Sequence, residues 1–400
     1  MIERNIPILI LDGDESNAEK ISIIIKKLYP NSNIDFAHNG MDGWAIIERI
    51  KDSTIIIADS YLPGVNGIQL LKKVKTDKPE PHTYFIILTN TKDKEFNIKA
   101  LQSGADELLM KPWSVEDLVG RIRAATQVLR LHNTLRVEQA KVVELNEELD
   151  KTFQNNFELL LKIQTVKFPD YEKNLKMISR AVLWIAKELG IENEAELKNI
   201  EYASRICYIG KLYLQEKHSY EPVMKKGIII NPVMEKYSSF SKELLSNLRG
   251  FEDIANILTH IYENFDGSGL PDNLQSWKIP YGSRILRVII DFHDLFKSLN
   301  GSFTKAYEAL ESEIKRLYDQ KAVVLLEQYY AETGEGKLKS NERAIEAKDL
   351  QVGMVVSRKI VTESGLKIVS QTSELDFETI EKIKSIVKVD PIIGNIYIYG

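Results

Sequence analysis

The chain has 400 residues, 44% of them hydrophobic and 28% charged, and 53 Lys plus Arg against 58 Asp plus Glu leave a formal net charge of −5. That balance fits two to four soluble globular domains of about 150 residues each and gives no reason to expect nucleic acid or a membrane surface as a partner. A single cysteine excludes an internal disulfide and suits a reducing cytoplasm, and no run approaches the ~18 apolar residues of a membrane span.

The opening "MIERNIPILILDGDES" breaks from a short apolar run into acids, so it reads as a strand rather than a signal peptide. Up to residue 127 the chain alternates short apolar runs with amphipathic helices. The runs are "PILILD" (7–12), "IDFA" (34–37), "TIIIAD" (54–59), "YFIILTN" (84–90) and "ELLMK" (107–111). This pattern predicts an α/β doubly wound domain, a five-stranded parallel sheet with helices on both faces. In such folds the chemistry gathers at the carboxyl ends of the strands, where Asp12, Asp14, Asp59, Thr89 and Lys111 stand.

A long helix follows, with Ser114 as its cap and Asp117 three residues on. Leu131, Leu135, Val142, Leu145, Leu149, Leu159 and Ile163 fall on one 4-3 heptad frame, with Glu138, Thr152 and Asn156 in its other slots. That spacing predicts a coiled-coil linker over 128–168 and a parallel homodimer, with a lone amphipathic helix packed on its neighbours as the alternative. "KFPDYEK" (167–173) marks the next boundary. Residues 169–335 read as an all-α domain, interrupted by the loops "FDGSGLPDN" (265–273) and "KIPYGS" (278–283). "TGEGKLKSNER" (333–343) reads as a linker, and 340–400 as a small α+β module of strand, turn, strand, helix and strand.

An aspartate at a strand end accepts a phosphoryl group when a divalent cation and fixed donors neutralise the incoming oxygens. Asp12, Asp59 and the backbone carbonyl of Tyr61 are the candidate Mg²⁺ ligands; Thr89 offers a hydroxyl and Lys111 an ammonium, and Lys111-Pro112 is a candidate cis peptide. The set "LILDGDES", "IIIADSYLPGVNGIQLL", "IILTN", "SGADELLMKPW" resembles the receiver domain of two-component response regulators. The resemblance implies that Asp59 is phosphorylated by a histidine kinase or phosphotransfer protein. Two positions depart from the family: Gly13 stands where a second acid is expected, with Asp14 one residue on as its candidate substitute, and Leu108 stands at an aromatic position. Phosphorylation is therefore expected, but impaired.

"YENFDGSGLPDNLQSWKIPYGSRILRVIIDFHDL" (262–295) and "EYASRICYIGKLYL" (201–214) resemble the HD-GYP family, which hydrolyses cyclic di-GMP at an iron centre. Aligned on those blocks, the family's ligand positions carry other residues. The first histidine falls near Asn174 and the His-Asp pair on Cys207 and Tyr208. The next histidine falls on Tyr237, and the His-His pair on Ile261 and Tyr262. Asp291, with Asp170, keeps a carboxylate at a matching place. Six histidines are present: His38, His82 and His132 lie outside this domain, and His218, His260 and His293 align with no ligand position. A site rebuilt from His260, His293, Asp291 and Cys207 would need a shifted geometry. Lys211 and Arg284 are cations able to meet a phosphodiester, although Arg284 is also placed to pair with Asp291 structurally.

The expectation is a cytoplasmic response regulator with a degenerate HD-GYP domain. It is expected to hold no iron or manganese and to act by protein or nucleotide binding rather than as an enzyme. Diguanylate cyclases or cyclic di-GMP are the implied partners. The alternatives are a cyclic di-GMP phosphodiesterase with an unusual metal set and a structural dimeric scaffold.

Overall fold

The computed structural model describes residues 6–80, 82–218, 220–333 and 342–400. Two compact units divide the chain between Glu148 and Leu149.

The first unit runs β1 (Ile8–Leu11), α1 (Glu15–Leu28), β2 (Ile34–Ala37), α2 (Gly40–Arg49), β3 (Thr54–Asp59), α3 (Gly67–Asp77), β4 (Thr83–Thr89), α4 (Lys94–Gln102), β5 (Glu107–Met110) and the start of α5 (Val115–Lys167). Its strands are all parallel, in the order β2-β1-β3-β4-β5. The period of two sorts the side chains onto two faces. Ile8, Ile10, Ile55, Ile57, Ile86 and Leu88 bury against α1 and the first turns of α5. Leu9, Leu11, Ile56, Ala58, Phe85 and Ile87 bury against α2, α3 and α4. Each of the Ile, Leu and Phe side chains contributes roughly 1.5–3 kcal/mol on burial. The strand order reverses at β1 and β3, which brings the residues ending these two strands side by side.

Ser114 caps α5 as expected, its Oγ accepting from the Asp117 backbone N–H at 3.1 Å. The helix continues unbroken through residue 128, so the expected receiver and linker share one helix. Leu118, Ile122, Ala125 and Leu129 bury on the sheet, while the seven heptad residues from Leu131 to Ile163 are exposed. Phe157 and Leu160 bury in the core of the second unit, so that unit begins inside α5 rather than at residue 169.

The second unit continues with α6 (Glu172–Glu188), α7 (Glu194–Arg205), β6 (Met224–Lys225), β7 (Ile228–Ile229), α8 (Lys236–Ser246), α9 (Glu252–Thr259), α10 (Tyr281–Ser298), α11 (Phe303–Glu311) and α12 (Gln320–Thr333). Helix α10 is its axis, with Ile285, Leu286, Val288, Ile289 and Phe292 buried against α6, α9, α11 and α12. The helical reading of this stretch holds, with the short β6–β7 hairpin between α7 and α8 as its one addition among the described residues. Lys226 and Gly227 both adopt positive φ, 53° and 75°, the conformation of a tight two-residue hairpin turn.

The last part comprises β8 (Glu342–Ile345), β9 (Ile360–Val361), β10 (Lys367–Val369), α13 (Phe377–Val387) and β11 (Ile396–Tyr399), with β8 and β11 antiparallel. It has its own small core but is fastened to α12 within the same compact unit. The Gln328 side chain donates to Ile393 O and accepts from Asn395 N at 3.2 and 3.1 Å. Most of the expected linker at 333–343 falls on 334–341, outside the described residues.

Candidate functional site

In the first unit, Asp12 follows β1, Asp59 and Thr89 end β3 and β4, and Lys111 follows β5. All three of Asp12, Asp59 and Thr89 are buried. The Lys111 ammonium lies 2.5 Å from Asp59 Oδ2 and 3.2 Å from Asp12 Oδ2. Burial alone would lower the pKa of Lys111; its hydrogen bond to Asp59 and the charges of Asp12 and Asp59 outweigh burial and raise it. The Lys111-Pro112 bond is cis, as expected. The Tyr61 backbone N–H donates to Asp59 Oδ1 at 3.0 Å. Gly67 packs so closely that a Cβ there would lie 2.4 Å from Asp59 O, which accounts for a glycine in that turn.

Asp14 does not replace the acid missing at Gly13. Its Oδ1 caps α1, accepting from Ser16 N at 3.0 Å and Asn17 N at 3.4 Å. Asn17 comes to Asp12 instead: its side-chain amide donates to Asp12 Oδ2, while Asp12 Oδ1 accepts from Asp14 N at 2.9 Å. No strand or helix pattern announces this contact, because it depends on where the first turn of α1 points. Leu108 packs half-buried against the α2–α4 side of the sheet.

In the second unit, Cys207, Tyr208, Tyr237, Ile261 and Tyr262 do converge and are all buried in one core. Tyr237 donates to Cys207 O and meets Tyr262 edge to face at 4.9 Å. Tyr208 stacks on Tyr171 at 4.0 Å, and Tyr171 on Tyr220 at 5.3 Å. Burial pushes the Cys207 thiol up, so it stays protonated. These phenol, thiol and alkyl groups do not fit a pair of divalent cations, which needs imidazoles and bridging carboxylates. Nor do the other histidines supply them. His260 bonds Asn256 O and Asp272, and His218 bonds Glu221. Among the described residues, no group of three or more His, Cys, Asp or Glu could hold a metal ion.

Lys211, Arg284 and Asp291 do not form one open ligand site. Lys211 is buried, donates to Glu221 O at 2.7 Å and lies over the Tyr171 and Tyr208 rings. Burial lowers its pKa, opposed by the Asp294 charge. Arg284 pairs with Asp319 at 2.6 Å, not with Asp291. Asp291 is held by Arg287, a residue absent from the sequence reading, at 2.7 Å and by the Tyr318 hydroxyl at 2.8 Å. The "DGSG" loop requires its glycines whatever it binds. Gly267 has φ +86°, and a Cβ on Gly269 would lie 2.0 Å from Asn264 N.

Beside this core opens a cavity of about 790 Å³, with Asp170, Asn174, Tyr171, Tyr220, His293 and Asp294 in its wall. Burial raises the pKa of Asp294 to about 6 and lowers that of His293 to about 4.

Two known families match the chain: the response regulator receiver domain over residues 8–123 and the HD domain over residues 158–322. A cyclic di-GMP phosphodiesterase of Thermotoga maritima is 24% identical over 342 residues, covering 79% of this chain and 88% of that protein. The cyclic di-GMP phosphodiesterase response regulator RpfG of Xanthomonas campestris is 23% identical over 301 residues, 73% of this chain and 77% of that protein. The response regulator ArlR of Staphylococcus aureus is 31% identical over 140 residues, 35% of this chain and 57% of that protein. Among solved structures, the BeF3-activated DrrB receiver domain is 25% identical with a TM-score of 0.28, covering 31% of this chain and 98% of its own.

The chain is thus a receiver domain joined to an HD-type output domain related to cyclic di-GMP phosphodiesterases. This corrects the expectation of an output domain that is not an enzyme: both relatives that span most of the chain are named as phosphodiesterases, which points to an enzyme.

Proposed function

We propose that this chain is a cytoplasmic response regulator in which phosphorylation of Asp59 controls an HD-type domain that engages cyclic di-GMP. The observation that carries this reading is the Asp12–Lys111–Asp59 cluster at the strand ends, in a chain whose long-range relatives are phosphodiesterases of that nucleotide. A histidine kinase or phosphotransfer protein is the phosphodonor the receiver calls for. Asp59 is the nucleophile: its carboxylate oxygen bonds phosphorus as the donor's leaving group departs. Lys111 faces the carboxylate and offsets the charge brought by the phosphoryl oxygens, while the Thr89 hydroxyl stands at the neighbouring strand end. Asp12, Asp59 and the Tyr61 carbonyl are the groups that would hold Mg²⁺, which when bound neutralises the phosphoryl group.

In the output domain, Arg287 and Lys211 are proposed to neutralise Asp291 and Asp294, in place of iron or manganese. The exposed heptad of α5 is proposed as the seam of a parallel homodimer. Sedimentation of the full chain tests this: Leu135→Glu with Val142→Glu gives a monomer if the seam is right and leaves a dimer if it is wrong.

The main test uses the full chain with acetyl phosphate and Mg²⁺, then titration with cyclic di-GMP. The expected result is one phosphoryl group gained by wild type and not by Asp59→Ala, together with a nucleotide affinity that changes on phosphorylation. Chromatography of the same mixtures reports whether the nucleotide is linearised. A chain that gains no phosphoryl group and binds no nucleotide overturns the proposal.

A further inference from the structure

The cavity of the output unit presents a carboxylate that no hydrogen-bond donor among the described residues satisfies. Nε2 of His293, behind the cavity surface, is buried with no hydrogen-bond partner among the described residues. The Asp294 carboxylate accepts no hydrogen bond among the described residues; its neighbours Lys211 and Lys297 act on it only through charge. Both residues stand in the cavity wall on α10. Along the same wall runs a ladder of three tyrosine rings, Tyr208, Tyr171 and Tyr220, with interplanar angles of 21° and 29°.

A carboxylate enclosed without donors is matched by a ligand that brings them. A wall of aromatic faces is matched by a flat ring that can stack. The Watson–Crick edge of guanine satisfies both conditions. Its N1–H and N2–H are adjacent, parallel donors, and they meet two carboxylate oxygens as a guanidinium fork does. Adenine offers one donor beside a lone pair on that edge, so one carboxylate oxygen would face a like charge. A phosphodiester is a poor fit at this depth, since the two cations assigned to it from sequence are committed elsewhere: Lys211 to Glu221 O and Arg284 to Asp319. Lys297 is the exposed cation in the wall of the same cavity.

Resting on the reading that the output domain engages cyclic di-GMP, we propose that this cavity is a guanine-reading subsite. Asp294 accepts from N1–H and N2–H, and the base extends the Tyr171 and Tyr220 ladder. The phosphates lie at the mouth near Lys297.

Calorimetry of the full chain with cyclic di-GMP, cyclic di-IMP and cyclic di-AMP tests this. Hypoxanthine lacks only the N2 amino group, so wild type is expected to prefer cyclic di-GMP over cyclic di-IMP by about tenfold or more, with cyclic di-AMP weakest. That comparison needs no variant. Asp294→Asn keeps the size of the side chain and replaces one acceptor by a donor; it is expected to lower cyclic di-GMP affinity to the cyclic di-IMP level and close the gap. Wild type that does not discriminate the two, or Asp294→Asn that keeps the full gap, overturns the subsite while leaving nucleotide engagement standing. If cyclic di-GMP does not bind, that broader reading falls, and GMP against IMP decides the subsite: no preference for GMP overturns it.

Discussion

Arg287 and Asp291, one turn apart on α10, form a buried ion pair. The guanidinium Nε donates to the carboxylate at 2.7 Å, and the Tyr318 hydroxyl donates to the same oxygen at 2.8 Å. In the resemblance to the HD-GYP motifs Asp291 is a carboxylate at a ligand position, and here it is paired with an internal cation. The Arg287 charge is supported further by the Tyr262 ring at 5.1 Å, on a side chain standing where a histidine is expected.

Removing one partner of a buried pair strands the other, at a cost of about 3–5 kcal/mol, whereas replacing both by well-packed apolar groups is often neutral. Arg287→Ala and Asp291→Ala are each expected to destabilise the output unit by that amount in urea unfolding. Arg287→Met with Asp291→Leu should recover most of the loss. Single variants within about 1 kcal/mol of wild type would mean the pair is not a structural replacement for a bound cation.

Gly13 offers a gain-of-function test in the receiver. A Cβ there would find its nearest neighbour, Pro63 Cδ, at 3.6 Å, an ordinary contact, and the residue is exposed. Gly13→Asp therefore adds a carboxylate beside Asp12 without a clash. Mg²⁺ favours oxygen ligands of this kind, so calorimetric Mg²⁺ affinity should rise by about tenfold. Asn17→Ala should leave Asp12 less fixed and weaken Mg²⁺ binding in the present sequence. An unchanged affinity in Gly13→Asp would show that the missing acid is not what limits this site.

Asp294 carries a pH signature. Its pKa is about 6 in the folded chain, mainly through burial, against 3.8 as the ordinary value. For an acid raised on folding, the native state binds the extra proton, so the contribution to stability is full below about pH 4 and is lost as pH rises through about 6. The difference of roughly two pKa units corresponds to about 3 kcal/mol. Stability of the output unit in wild type should fall across that window relative to Asp294→Asn, which has no proton to lose. Parallel pH profiles for the two proteins would refute the assignment.

The receiver was legible because its apolar runs alternate with period two and end in acids. That pattern places Asp12 and Asp59 together once the strand order is known. The β6–β7 hairpin was not legible: two-residue strands are too short to show a period, and its turn rests on a positive φ at Lys226. The pairing of Arg287 with Asp291 was available as an i,i+4 spacing on a helix, the separation at which side chains meet. The partner of Arg284, Asp319, comes from a segment 35 residues away, which no local pattern reveals. Asn17 reaches Asp12 through tertiary placement alone.

Arg358 fastens the C-terminal part of the chain to the HD-type helices, and its loss should be felt in both. The residue is 4% exposed. Its guanidinium pairs with Glu342 at 2.6 Å, donates to Glu327 O at 2.8 Å and lies 4.7 Å from the Tyr397 ring centroid. Those partners sit on β8, α12 and β11, so a single side chain ties both strands of the small sheet to the last helix of the bundle. Arg358→Ala leaves Glu342 buried without its cation and Glu327 O without a donor, which costs about 3–5 kcal/mol. Arg358→Lys keeps the charge but cannot serve three partners with one ammonium, and should recover less than half of that loss. Hydrogen exchange on the full chain reads the outcome by region: amides of α12 and of β11 should lose protection together. Loss confined to β8 and β11, with α12 unchanged, would show that the C-terminal part folds separately and contributes nothing to the output helices.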